Sequence, residues 1–212
     1  KDIVNIYSKF SPMMQIGADT KMLNFGLWKN STTDLDIFCM DLNYSELKNG
    51  SNHVISQINS SSTMIPFSDK SFDRIIALES AQHFAPLERF FQEAKRILTD
   101  NGKLVLAIPV TNNHAKLKLG ILNITWLSKK YTESHIKDTI KNAGFSLKKE
   151  ESIGKIVYEP FADFYIHNRK ALREKLVSTY SDRIENLVFK SMKKMKELSE
   201  KKIIDYLLLS LE

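Results

Sequence analysis

The chain has 212 residues, 42% apolar and 26% charged, with seven glycines, one cysteine and a formal net charge of +6. Those figures fit one globular domain that buries roughly 70% of its unfolded surface, and they exclude a disordered, collagenous or disulfide-stapled chain. The basic residues are twenty-five lysines and six arginines, which argues against a specific nucleic-acid site, where the guanidinium fork is favoured.

No run of about 18 apolar residues exists, so no membrane span is expected. The opening KDIVNIYSKF lacks the apolar centre of a leader peptide. Cys39 has no partner in the chain, so a reducing, cytoplasmic address is expected.

In chain order, Ile3, Ile6, Tyr7 and Phe10 have helical spacing that ends at Pro12, and an apolar loop, Asn24 to Trp28, follows. Ile37 to Met40 reads either as a short buried strand ending at Asp41 or as part of a helix that starts near Thr33. Asn49 to Asn52 signals a turn, and the alternation from His53 to Ile58 a strand. Phe72 to Leu78 reads as a buried strand. Pro86 opens a helix whose stripe is Leu87, Phe90, Phe91, Ala94, Ile97 and Leu98. Asp100-Asn101-Gly102 predicts a turn, and Lys103 to Ile108 a second strand stopped by Pro109. Strand, helix and strand with short links make a βαβ unit and hence a parallel sheet.

Thr132 starts another helix that Gly144 ends, with a strand over 145–150. The aromatic-rich segment from Pro160 to Ser178 and the segment 183–200 read as helices, and Ile203 to Leu209 as a final strand. The basic run from Lys190 to Lys202 interleaves Glu197 and Glu200, as a solvated helix face does. The five histidines form no metal-ligand spacing, so no metal is expected.

The block Ile65-Pro66-Phe67-Ser68-Asp69-Lys70-Ser71-Phe72-Asp73 resembles the "LPF-x-(D/N)-x-SFD" signature of class I S-adenosylmethionine-dependent methyltransferases. Ala77-Leu78-Glu79-Ser80-Ala81-Gln82-His83 is similar to "aLESlhH", and Arg96 to Leu104 to "RvLkPGGrL". Ala143-Gly144-Phe145 is similar to the "AGF" ahead of the sixth strand. Asn24 to Trp28 and Ile203 to Tyr206 resemble the "HxGYW" loop and "giidYv" strand of the small-molecule branch, which acts on sterols, tocopherols and natural products.

The resemblance implies a Rossmann-like α/β fold: a mostly parallel sheet with an antiparallel C-terminal strand, an N-terminal helical lid over 1–30 and a helical substrate cap over 155–200. It implies S-adenosylmethionine as cofactor, S-adenosylhomocysteine as product and methyl transfer to an O or C atom of a small, apolar or aromatic metabolite. Trp28, Asp41, Ser61, Ser62, Leu78 and Glu79 match cofactor-binding positions; Ser61 and Ser62 stand where the family usually carries an Asp and a small residue. His83 matches the position that the natural-product branch uses as general base, while Ile108 replaces the partner acid that some relatives carry. Candidate aromatics and methionines for the acceptor pocket are Phe10, Met13, Met14, Trp126, Phe161, Phe164 and Tyr165. A homodimer is compatible with this reading.

One departure stands out. The family's glycine-rich "VLDxGCGxG" loop, whose backbone approaches the cofactor closely because glycine has no Cβ, cannot be written between Trp28 and His53. Either a segment is missing from the sequence or the chain is a degenerate member that binds a metabolite or a partner without catalysis. Charge alone suggests a third class, an RNA-modifying enzyme.

Overall fold

The computed structural model describes residues 36–49, 55–112, 118–126 and 128–212. The expected lid, with Phe10, Met13, Met14 and Trp28, and the helix start near Thr33 lie outside them.

Strand β1 (Phe38–Asp41) and strand β2 (Ser56–Asn59) pair in parallel, linked through helix α1 (Tyr44–Asn49). Of the two readings of residues 37–40, the strand holds, but it is not buried: Phe38 is 41% exposed, because β1 has a strand on one side only among the described residues. The main sheet has the order β3-β4-β6-β5, with β3 (Phe72–Leu78), β4 (Leu98–Thr111), β5 (Leu147–Ser152) and β6 (Ile204–Leu211). β3 runs parallel to β4, and β6 runs antiparallel to both of its neighbours. The mixed α/β sheet with an antiparallel closing strand is therefore as expected.

Helix α2 (Leu87–Ile97) makes the β3–β4 crossover, with Pro86 as its N-cap. Its stripe of Phe90, Phe91 and Ala94 packs on Leu104, Leu106 and Ile108 of β4 and on Leu207, Leu209 and Leu211 of β6. Each of these side chains is almost completely buried, and each large one contributes about 1.5–3 kcal/mol of hydrophobic transfer. The alternate residues, Ala107, Ile204 and Tyr206, face a second cluster with Leu119, Leu122, Tyr158 and Leu198. Period-two alternation thus gives the sheet a helical layer on each face.

β4 differs from its prediction at both ends. Asp100, Asn101 and Gly102 are extended rather than turned, and a register shift between Phe72 and Arg74 absorbs the extra residues. Pro109 does not stop the strand and pairs with Tyr206. Ala107 turns its carbonyl toward β3, where it accepts from Glu79 N. Two residues on, Pro109 presents its nitrogen to the same side, beyond the end of β3, so no ladder bond is lost.

Helix α3 (Leu122–Thr125) is a single turn. Helix α4 (Glu133–Asn142) starts where Thr132 Oγ1 accepts from His135 N, and Gly144 ends it at φ +79°. Between β5 and β6 lie α5 (Gly154–His167), α6 (Arg169–Thr179) and α7 (Asp182–Glu200). Pro160 was the expected start of a helix and instead sits inside α5. Ile156, whose carbonyl would have met the missing N–H, is exposed. Gly154 is required by close approach: a Cβ there would strike Asp205 Oδ1 and lie 2.9 Å from its Cα.

Candidate active site

Asp41 ends β1, and its backbone carbonyl accepts from Ser60 N (3.2 Å) and Asn59 Nδ2 (3.0 Å). The ends of β1 and β2 are thereby stapled, which sets Ser61 and Ser62 near Asp41. Asp41 Oδ1 accepts from Asn43 N at 2.7 Å. Ser61 Oγ lies 2.8 Å from Thr63 Oγ1 and accepts from Thr63 N, a local turn device. Ser62 is partly exposed on the same turn.

The end of β3 carries the densest chemistry. Leu78 closes the strand, and Glu79 N extends the ladder by one bond to Ala107 O (3.2 Å). Glu79 itself adopts φ +51°, a left-handed conformation that is uncommon without glycine. It leads into a single 3-10 turn, Ala81–His83. Gln82 is buried, and its Nε2 donates to Glu79 O (2.9 Å) and Glu79 Oε2 (3.0 Å). Tyr206, from β6, lies beside the same carboxyl group, and its hydroxyl donates to Ala107 O (3.4 Å). Burial pushes the Glu79 carboxyl above its usual range, and the neighbouring Tyr206 and Gln82 partly offset that rise. Gln82 Oε1 is buried without a hydrogen-bond partner. His83 is pushed down to about 4 by burial, so its imidazole is neutral at physiological pH.

Two elements beneath this rim were not anticipated. Glu93, buried on α2, accepts from Ile65 N (2.9 Å) and from Arg96 Nε and Nη2 (3.1 and 2.9 Å). Arg96 also donates to the carbonyls of Ile65 (2.9 Å) and Phe67 (2.8 Å). The 65–69 block is thus fastened to α2, and its Phe67 ring stacks edge-on with Phe38 of β1 and Phe72 of β3 at 5.1 and 4.6 Å. The Glu93-x-x-Arg96 spacing was the available signal, since residues three apart share a helix face.

Of the candidate pocket aromatics, Tyr165 is fully buried and donates to Glu185, Phe164 is 40% exposed, and Trp126 Nε1 donates to Ser128. The basic run on α7 is a solvated face, with Lys194 and Lys201 on Glu197 and Lys196 on Asp163. Among the described residues no group of three or more His, Cys, Asp and Glu could hold a metal ion, and no helix is long and apolar enough to cross a membrane.

Residues 16–106 match the family model described as a methyltransferase domain, and the fold aligns with solved structures of that architecture. The matched segment is a little under half of the chain, and it is this segment that resembles the class I S-adenosylmethionine-dependent methyltransferases. The chain is similar to the erythromycin 3''-O-methyltransferase of Saccharopolyspora erythraea, 29% identical over 122 residues, and spans well under half of that enzyme's length: the match covers 50% of this chain and 39% of that enzyme. The structure of the [4+2]-cyclase SpnF superposes with a TM-score of 0.72 at 12% identity, covering 99% of this chain and 95% of SpnF. The cyclopropane synthase MmaA2 of Mycobacterium tuberculosis gives 0.70 at 15% identity, covering 85% and 70%. The geranyl diphosphate C-methyltransferase of Streptomyces coelicolor A3(2), solved with S-adenosyl-L-homocysteine, gives 0.65 at 13%, covering 83% and 60%. At such identities the structures speak to fold. In this chain β3 has a free edge among the described residues, with Ile76 50% exposed, and the sequence has no glycine-rich loop.

Proposed function

We propose that the protein transfers a methyl group from S-adenosylmethionine to an oxygen or carbon atom of a small, largely apolar metabolite. The observation that carries the reading is a half-buried imidazole, His83, neutral at pH 7 and held on the 3-10 turn that follows β3, beside Gln82. Relatives named for O- and C-methyl transfer support the choice of acceptor atoms. The acceptor set on the rim suits the nucleotide: Asp41 for ribose hydroxyls, Ser61 and Ser62 for the adenine amine, and the backbone at Leu78 and Glu79 for the amino-acid end. Trp28 would close over it. When bound, S-adenosylmethionine supplies an electrophilic methyl group on a sulfonium.

The chain's own part is to orient the acceptor and receive its proton. An alcohol becomes strongly acidic only as its oxygen gains the methyl group. A base of pKa about 4 is then sufficient, and it has the further property of being free of a proton at neutral pH. His83→Ala lowers the turnover of a hydroxyl acceptor by about a hundredfold, followed as S-adenosylhomocysteine release against a panel of apolar alcohols and phenols, while product affinity stays unchanged. In the wild type the basic form is complete at pH 7 and is lost only as pH falls through about 4. The acid limb of kcat/KM therefore lies well below the usual histidine range. A limb near 6.5 that His83→Ala abolishes contradicts this assignment.

The lack of a glycine-rich loop in the sequence favours a second reading, a non-catalytic member that uses the same fold to hold a metabolite or a partner. Turnover with any acceptor excludes it.

A further inference from the structure

Glu79, like Asp205, is a half-buried carboxylate whose described partners are all neutral. The described hydrogen-bond donor to the Glu79 side chain is the Gln82 amide, and the Tyr206 phenol lies beside it; both are neutral. Among the described residues no lysine or arginine pairs with it, whereas Glu93 and Glu185, the two most buried glutamates, are each matched by arginine. Beside it, Gln82 Oε1 is a second acceptor, buried and without a donor. Gln82 cannot rotate away freely, because its Nε2 is held by both the backbone and the side chain of Glu79. Native structures rarely keep such atoms without a reason, since an unmet buried acceptor costs about 1–3 kcal/mol. Two acceptors with no compensating cation, at the carboxyl end of a sheet strand, form a site of negative potential.

We propose that Glu79 and the Gln82 amide carbonyl select for positive charge on the ligand, so that the rim takes the sulfonium form of the cofactor in preference to the neutral thioether product. This rests on the cofactor assignment made above. It gives Glu79 a role distinct from holding the amino-acid end, because that end carries the same ammonium in substrate and product. The transfer removes one positive charge from the nucleoside. A carboxylate that favoured the charged form then loosens the product, which assists its release. The carboxyl group is faced by Tyr206 of β6, by Tyr158 of α5 and by Gln82 of the 3-10 turn. Of these, Tyr158 is raised partly by the Glu79 charge itself.

Calorimetric titration of the full chain with S-adenosylhomocysteine and with sinefungin, a stable analogue with an amine where the sulfonium stands, reads the preference directly. In the wild type the amine analogue binds about tenfold more tightly than the thioether, the order expected for one charge pair a few ångströms apart at a protein rim. In Glu79→Gln the preference collapses to about twofold or less, with thioether affinity nearly unchanged. An equal loss for both ligands overturns the proposal and assigns Glu79 to the shared ammonium. An unchanged preference overturns it outright. Failure of the wild type to bind either ligand overturns the cofactor assignment itself and this proposal with it. Should Glu79→Gln not fold, the wild type answers alone: a preference for the amine analogue of about twofold or less contradicts the proposal.

Discussion

Replacing Arg96 with methionine lowers the unfolding free energy by about 3–5 kcal/mol, the range found when one partner of a buried ion pair is removed. The cost does not come from the surface contact with Asp69, which is exposed and worth little. It comes from Glu93, whose side chain is 7% exposed and would keep only the more distant Arg89, at 3.6 Å, as a cation. Arg96 also leaves the carbonyls of Ile65 and Phe67 without their donors. Lysine rescues poorly, because a point charge cannot serve the carboxylate in a two-pronged fashion and two carbonyls as well. The pH dependence has a definite sign. The Arg96 hydrogen bond holds the Glu93 carboxyl below its usual range, so its contribution is complete above the unfolded value near 4.3 and is lost as pH falls through the folded one. The difference between wild type and variant, measured by urea unfolding, therefore narrows as pH drops from 7 toward 3. A loss below about 1 kcal/mol at pH 7 contradicts the reading of Glu93 as a charge that needs its partner. The same variant loosens the 65–69 block, and through Phe67 and Phe38 the β1–β2 pair that carries Asp41, so nucleotide affinity falls with stability.

Arg169→Ala costs a similar amount in the helical layer, about 3–5 kcal/mol. Glu185 is fully buried and is met by Arg169 at 2.8 and 2.9 Å and by the Tyr165 hydroxyl at 3.2 Å. The Arg169 guanidinium also lies 3.6 Å from the centre of the Phe189 ring, a cation–π contact. Alanine removes both at once and leaves the carboxylate facing Tyr165 and the more distant Arg173, at 3.6 Å. The effect centres on the cluster of Leu172, Leu176, Val188 and Met192, which is separate from the sheet core. Hydrogen exchange of α5–α7 rises more than that of β4 and β6. Equal acceleration in both would show that the helices and the sheet open as one unit.

These two ion pairs also show where sequence reading stops. Glu93 and Arg96 were visible as a helix pair, yet nothing local says that Glu93 is buried or that the 65–69 block passes over it. Glu185 and Arg169 are sixteen residues apart and meet only because α6 and α7 fold back on each other. Local chemistry was legible throughout: Thr132 and Gly144 at the ends of α4, the α2 stripe, and the strand at 72–78. Pro109 was misread because its tolerance depends on where β3 ends, a property of the neighbouring strand. Pro160 was misread for the same kind of reason, since the exposure of Ile156 decides whether its carbonyl can do without a donor. The resemblance singles out Asp41, Ser61, Ser62, Leu78 and Glu79, but it says nothing of how Tyr206, Glu79 and Gln82 meet. That cluster joins a strand end to a residue more than a hundred positions away, and no periodicity reports it.

The central claim is that the carboxyl ends of β1, β2 and β3 hold an adenosyl nucleotide. Its most direct test is calorimetric titration of the intact chain with S-adenosylhomocysteine, repeated on Asp41→Ala. One nucleotide per chain is expected, with a Kd of about 1–100 µM, corresponding to roughly −8 to −5.5 kcal/mol, and an affinity at least about tenfold weaker in the variant, the loss of one hydrogen-bonded charged acceptor. Heats no larger than dilution with millimolar nucleotide, for a chain that is folded by circular dichroism, would contradict it.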